Sequence, residues 1–423
     1  MKSKLFFLMV VLLTAGLVFA GGGGDKASSD TGVKPVKIGF YGSISGVNSE
    51  SGRQGRLACL AAQQYVNSKG GIKALGGAPI ELVLIDGTSD PAQGVLPLER
   101  TLSQGGISAI VGSAQSAFAL ISLPILQKYR VPAVTASAAN MTITHHGCEF
   151  VFQPAAKSFQ FSTVQIDFLR SLAAVMGKKV EDMKFGIVYE NSAYGEDGAA
   201  ANRKDLAAAG LTLAVDENYD AGKLSDASPI VTKLRAAGVD AILPTCYAND
   251  AKLLITAMNA MRYKPIMVGG GGTFSWPVML NDLGDDVEGL CSTDGWNWDS
   301  KSTQALPAFR EVIEIYEKAN NEYLPSQAGA SVISFMMIIE AIENGKSADP
   351  ISVRDELRKL NSNNSPWFKA YGSGFHKFDE KGYNDGTLPI VVQWQEKRPR
   401  VVFPPEAASR PAWDPLTRKP FLK

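Results

Sequence analysis

The chain has 423 residues, too many for one ordinary hydrophobic core, and its composition (45% hydrophobic, 20% charged) is that of a globular protein able to bury a large interior. Lys plus Arg and Asp plus Glu both number 42, so the formal charge is zero. That balance argues against a nucleic-acid partner, which requires a basic face to displace counterions.

The first 20 residues read as an export signal. Lys2 and Lys4 precede the apolar run LFFLMVVLLTAGLVFA, and Val18 and Ala20 suit a cleavage site of the small-x-small kind. Gly21 stands where a lipoprotein would carry its cysteine. Residues 21–34, beginning GGGGDKASSDTG, read as a flexible leader. Export implies an oxidising compartment, but the spacing of Cys59, Cys148, Cys246 and Cys291 defines no disulfide framework. Cys246 and Cys291 fall on predicted strands, so either a bridge between them or buried free thiols is open.

After the leader, short apolar runs alternate with helical patterns. VKIGFY is a buried strand, and residues 53–67 carry apolar residues at helical spacing until glycines stop them. IELVLID is the next strand, Pro91 opens a helix, ISAIVG is a strand, AFALISLPILQKY a helix and VPAVTA a strand. The alternation resumes with a helix over 158–176, then KFGIVY, a helix over 194–209, LTLAVDENY, PIVTKLRAAG, VDAILPT, NDAKLLITAMNAM and KPIMVGG. Apolar runs spaced by helices predict parallel strands covered on both faces, hence open doubly wound sheets. The series falls into two blocks of similar size, which predicts two similar lobes. Helices follow over 304–320, 328–344 and 353–360. The stretch 330–342 is apolar but too short to span a membrane, and reads as a buried helix. FHKF and LPIVVQW read as short strands, and the proline-rich stretch from Arg398 onward as a surface tail.

No catalytic set emerges. There are three histidines; His145 and His146 lie near Cys148, but no partner motif completes a metal site. GSISG has Ile44 where a nucleophile elbow would place serine, and the GGGG at 269–272 lacks the GK[ST] ending of a phosphate loop. We expect neither cofactor nor metal. Binding chemistry has more support. Several strands end in small or hydroxyl residues before a helix starts, as in VGSAQSA, VTASAAN and GGGGTFSW. Such turns expose backbone N–H groups at positive helix ends, although every open α/β sheet has them. Tyr194, Tyr247, Phe274, Trp276, Trp296 and Trp298 follow the same turns, and could line a pocket or pack the core. Asp294 could receive an ammonium group or cap the next helix.

The stretches VKIGFYGSISG, VNSKGGI, LIDGTSDPAQGV, ISAIVGSAQS, VPAVTASAAN, GIVYENSAYGEDGA and GFHKFDEKGYNDGTLPIVVQWQ, taken in order over about 36–395, resemble the type I periplasmic binding proteins of the leucine/isoleucine/valine-binding group. That resemblance implies an α/β fold of two Rossmann-like lobes joined by three crossovers and closing on a small-molecule ligand like a Venus flytrap. It implies lobe 1 over 35–155 plus 293–385, lobe 2 over 156–292 plus 386–400, and a tail over 401–423. It further implies a monomer in the periplasm that delivers an amino acid or related solute to the membrane permease and ATPase of an ABC importer. A sensory receptor of the same fold, or an exported enzyme, are the alternatives.

Carried over by motif, the carboxylate-gripping turns are Gln115, Ser116 and Ala117, then Ser137, Ala138 and Ala139. Tyr194 and Tyr247 match cleft aromatics. The chain departs from the pattern at Ala117 and Ala139, where the family has hydroxyls, at Gly271, where it has the acidic residue that receives the ammonium group, and at Ser51, where it has an aromatic. Asp294, next to Trp296, is the residue expected to replace the missing carboxylate.

Overall fold

Strands whose residues are buried almost end to end can only sit inside sheets covered on both faces, and the computed structural model contains two such sheets. It describes residues 33–372 and 374–421; the expected export signal and most of the leader lie outside them. Among the described residues no helix is long and apolar enough to cross a membrane.

In chain order the first part runs β1 (Val36–Gly42), α1 (Ser49–Ser68), β2 (Ile80–Asp86), α2 (Pro91–Ser103), β3 (Ile107–Val111), α3 (Ser116–Tyr129), β4 (Ala133–Val134) and β5 (Val151–Phe152). These strands form a parallel sheet of order β2-β1-β3-β4-β5. The second part runs α4 (Ser158–Val175), β6 (Lys184–Glu190), α5 (Ala193–Ala208), β7 (Thr212–Tyr219), α6 (Ser228–Ala236), β8 (Ala241–Thr245), α7 (Ala248–Ala260), β9 (Ile266–Gly269), α8 (Pro277–Leu283) and β10 (Cys291–Asp294). After Asp294 the chain returns to the first lobe as α9 (Lys301–Gln304), α10 (Pro307–Asn320), α11 (Ser326–Gly345) and α12 (Pro350–Leu357). It crosses a last time to β11 (Ile390–Gln395) and β12 (Arg398–Phe403). The second sheet has the order β12-β11-β10-β9-β8-β6-β7, parallel except for its last two strands.

The fold is thus that of two doubly wound lobes joined by three crossovers, near residues 153–157, 295–297 and 386–389. Each lobe has its own core: Tyr41, Ile85, Leu98, Ile110 and Phe118 in the first, Phe168, Leu169, Phe185, Ile187 and Leu243 in the second. Helix α11 is buried around its whole circumference because α1 and α12 flank it and β3 lies beneath, which explains its uninterrupted apolar run. Two readings from sequence change. Residues 398–403 are not a surface tail but the edge strand β12, paired antiparallel with β11; its one proline, Pro399, fits an edge, where a missing N–H costs little. FHKF forms only a single bridge, Lys377 with Asn361. The four cysteines are free thiols; Cys246 and Cys291 lie in separate parts of the second lobe's core and make no bridge.

Candidate functional site

In open parallel sheets the strand ends and the helix starts that follow them form one rim. Here the rims of both lobes meet. On the first lobe, Gln115 precedes α3 and gives that helix no side-chain cap. The first N–H groups of α3, those of Ser116 and Ala117, are therefore left for an outside acceptor. Ser116 Oγ accepts from the N–H of Asn140 at 3.2 Å, which ties this turn to the one after β4. In that second turn the N–H groups of Ser137, Ala138 and Ala139 find no acceptor among the described residues, although Ala138 and Ala139 are buried. Buried N–H groups are nearly always paired, so this cluster is set up for an anionic group. Gln115 is held in place by the Ser43 hydroxyl and by Ser113.

On the second lobe, Ser192 caps α5 and fixes the position of Tyr194. Glu190 braces this turn: its carboxylate accepts from the N–H groups of Ser192 and Gly195 at 2.7 and 2.9 Å. Burial raises the Glu190 pKa, and these bonds partly offset it. The Tyr194 hydroxyl donates to the Gly270 carbonyl at 2.9 Å, and its ring lies 5.5 Å from that of Tyr247. Tyr247 opens α7, again without a side-chain cap. Ala139, Tyr194 and Phe161 form one apolar cluster with Tyr247 packed against it, so the first lobe's turn touches the second lobe's tyrosines.

The lobes are clasped together. Asn140 Nδ2 donates to the Ala193 carbonyl at 2.7 Å, the Met141 N–H to Asp197 at 3.0 Å, and Asn249 Nδ2 to the Val47 carbonyl at 2.9 Å. A small hollow of about 10 Å³ lies among Val47, Ser51, Tyr247 and Trp276, beside the Asn249–Val47 bond. Ser51 sits in its wall, fixed by Gln327 Nε2 at 2.8 Å. No lysine or arginine lines this cavity; Glu50 does, paired with Arg53 at 2.8 Å. The Trp276 indole N–H is buried there without a partner.

Gly271 has φ of +65°, and a Cβ on it would overlap the Tyr194 hydroxyl, so the tyrosine occupies the space a side chain would need. Asp294, at the end of β10, is fully buried beside Gly272. Its carboxylate accepts from Ser275 Oγ at 2.9 Å and from Asn297 Nδ2 at 3.3 Å, and no cation among the described residues pairs with it. Burial pushes its pKa up to about 8 against the opposing hydrogen bonds. The structure therefore gathers Gln115, Ser116, Ala117, Ser137, Ala138, Ala139, Tyr194, Tyr247, Gly271 and Ser51 along the facing rims, with Asp294 at the second crossover. Trp296 stands apart: it stacks on Phe309 at 4.8 Å and lines a different cavity. Asn140, Asn249 and Asp197, which close the rims, escaped the sequence reading because isolated Asn and Asp residues carry no signal until the fold pairs them.

Residues 35–388 match the periplasmic binding protein family. The chain belongs to that family. Among curated periplasmic binding proteins it is similar to Leu/Ile/Val-binding protein homolog 8 of Brucella abortus, 28% identical over 378 residues (88% of this chain, 91% of the relative). It is equally similar to Leu/Ile/Val-binding protein homolog 7 of the same organism, 28% identical over 413 residues (96% and 98%). Among solved structures the fold is that of the branched-chain amino acid transporter substrate binding protein LivJ from Streptococcus pneumoniae in complex with isoleucine (TM-score 0.74, 20% identity, 88% and 100% covered). It is also that of a solute binding protein of an ABC transporter from Rhodopseudomonas palustris in complex with 3,4-dihydroxy benzoic acid (TM-score 0.71, 17% identity, 86% and 95% covered).

Proposed function

We propose that this periplasmic binding protein captures a small solute, an amino acid or a related carboxylate, between its lobes and hands it unaltered to an ABC importer. The observation that carries this reading is the meeting of unpaired N–H groups on the first lobe with Tyr194 and Tyr247 on the second. The N–H groups would hold the carboxylate of the solute, the two rings would cover its body, and Asp294 would take an ammonium group where Gly271 offers nothing. The family and the basic-then-apolar start of the chain support a location outside the cytoplasm, and both lobes come from one copy, so a monomer suffices.

The bonds that clasp the lobes set the mechanism. A solute enters when the bonds that Asn249 and Asn140 donate, and the one Asp197 accepts from the Met141 N–H, are open, first meeting the turns at Ser116 and Ala138. The second lobe then swings in and removes water. Closure is favoured by as much as the solute prefers the closed state. The permease and ATPase would read that closed shape.

A calorimetric panel of L-amino acids, short carboxylates and aromatic acids, 3,4-dihydroxybenzoate included, tests the reading. At least one class is expected to bind saturably and to be recovered chemically unchanged, with affinity at least 10-fold weaker in Tyr247→Ala. Binding to none of them, or conversion of the bound compound, overturns it.

A further inference from the structure

Residues 137–142, which carry solute-facing N–H groups, belong to no helix or strand, so their peptide planes need another anchor. The first crossover supplies it, together with the residue that opens α4. Gln153 Nε2 donates to the Ala138 carbonyl at 2.7 Å and to the Asn140 carbonyl at 3.3 Å. Ser158 donates to the Ala139 carbonyl from its N–H at 2.9 Å and from its Oγ at 3.1 Å. Lys157 Nζ donates to the Met141 carbonyl at 3.2 Å.

A trans peptide unit is planar, so a carbonyl held on one side aims the next residue's N–H to the other. The N–H groups aimed in this way are those the cleft uses. Opposite the Ala138 carbonyl is the Ala139 N–H, buried and without an acceptor among the described residues. Opposite the Ala139 carbonyl is the Asn140 N–H, which donates to Ser116 Oγ at 3.2 Å. Opposite the Asn140 carbonyl is the Met141 N–H, which crosses to Asp197 of the second lobe at 3.0 Å. Opposite the Met141 carbonyl is the Thr142 N–H, which donates to Asn140 Oδ1 at 2.9 Å and so turns Asn140 Nδ2 toward the Ala193 carbonyl across the cleft.

Two of the anchoring side chains are committed to this task. Gln153 is fully buried and its Oε1 has no partner among the described residues, so two carbonyls alone orient its amide. Its backbone is pinned to the approach to the third crossover, by the Gly382 carbonyl at 2.8 Å and the Asn384 N–H at 3.1 Å. Lys157 stands just before α4 of the second lobe, yet its buried ammonium meets three acceptors in the first: the Met141 carbonyl, Thr144 Oγ1 at 3.2 Å and the face of Tyr383 at 3.6 Å.

We propose that the first crossover orients the cleft's N–H groups, with Gln153 and Lys157 as the positioning residues. The inference rests on the reading of the cleft as a carboxylate site and adds how closure tightens it. Because the donors sit in a segment that bends when the lobes part, the open form meets a carboxylate with loosely aimed N–H groups and the closed form with aimed ones. That difference is what lets a solute favour closure.

The test uses the full chain. Amide hydrogen exchange without solute is expected to be at least 10-fold faster at residues 140–142 in Gln153→Leu, and within 2-fold of the natural chain in β3 and β6. Lys157→Met, a side chain of similar length without donors, is expected to speed exchange at Thr142 at least 5-fold. L-Isoleucine and 3,4-dihydroxybenzoate serve as binding probes in stopped-flow. From Gln153→Leu a bound probe is expected to leave at least 10-fold faster, with association within 2-fold and stoichiometry still 1:1; a merely structural loss would lower the stoichiometry and leave the dissociation rate alone. Unchanged exchange at 140–142 in both variants, or a natural dissociation rate from Gln153→Leu, overturns the orienting role. Binding of neither probe to the natural chain overturns the carboxylate grip together with the reading it rests on, a result separate from the exchange pattern.

Discussion

Asp294→Asn is expected to stabilise the ligand-free protein at pH 9 while weakening its hold on an amino acid. The natural carboxylate is fully buried, bonded to Ser275 and Asn297, and has no cation beside it among the described residues. Its pKa is about 8 in the folded chain against 3.8 for the unpaired group. The folded state thus keeps a proton that the unfolded state has already released. The stability owed to this group is intact below pH 4, falls as pH rises from about 4 to 8, and stays low above that. A shift of about four pKa units at about 1.4 kcal/mol each sets the full penalty at about 6 kcal/mol. Asparagine accepts from the same two donors without a charge, so urea unfolding of Asp294→Asn is expected to lose this pH dependence. The variant should be nearly equal to the natural chain at pH 4 and more stable by several kcal/mol at pH 9.

Binding should respond in the opposite direction. An ammonium group placed beside Asp294 would favour its ionised form, so an amino acid would bind with proton release near pH 7. Calorimetry in buffers of different ionisation enthalpy reads that proton. In Asp294→Asn the release should vanish and affinity fall by about 10- to 100-fold, the worth of one charge-assisted hydrogen bond. Equal affinity and unchanged proton release would show that Asp294 only braces the crossover.

The second large effect is expected at Gly195. This glycine opens α5 directly against β6, and a Cβ there would overlap the Glu190 carbonyl oxygen, a backbone atom that cannot turn aside. Gly195→Ala should lower stability by about 3 kcal/mol, the upper range for overpacking. Because Tyr194 is the preceding residue, the displaced turn should also carry its ring away from Tyr247 and weaken solute binding at least 10-fold. Gly210→Ala is the control: its φ of +68° costs about 1 kcal/mol in an L residue, but a Cβ meets nothing within 4 Å. It should lose only that amount and bind normally. Equal losses in the two variants would mean that the close contact at Glu190 carries no weight.

The fold was legible in the sequence because burial on both faces of a parallel sheet leaves a local signature: VKIGFY, ISAIVG and VDAILPT are apolar runs, and each became a strand. Residues 398–403 left no such trace. An edge strand needs only part of its surface apolar, and its partner β11 is defined by tertiary pairing. The same contrast holds at the site. Tyr194 and Tyr247 stand at helix starts after strands, a position sequence reveals. The environment of Asp294 depends on Ser275, 19 residues away, and on burial by the crossover, so its raised pKa could not be read from STDGWNWD. Trp296 shows the limit of adjacency: two residues from Asp294, it faces a different cavity.

Small-angle X-ray scattering, with and without a saturating solute from the calorimetric panel, tests the clamping of a guest between two hinged lobes most directly. The radius of gyration should drop on saturation in the natural chain while the circular dichroism spectrum stays fixed. A saturating solute that leaves the radius of gyration unchanged would contradict capture by lobe closure.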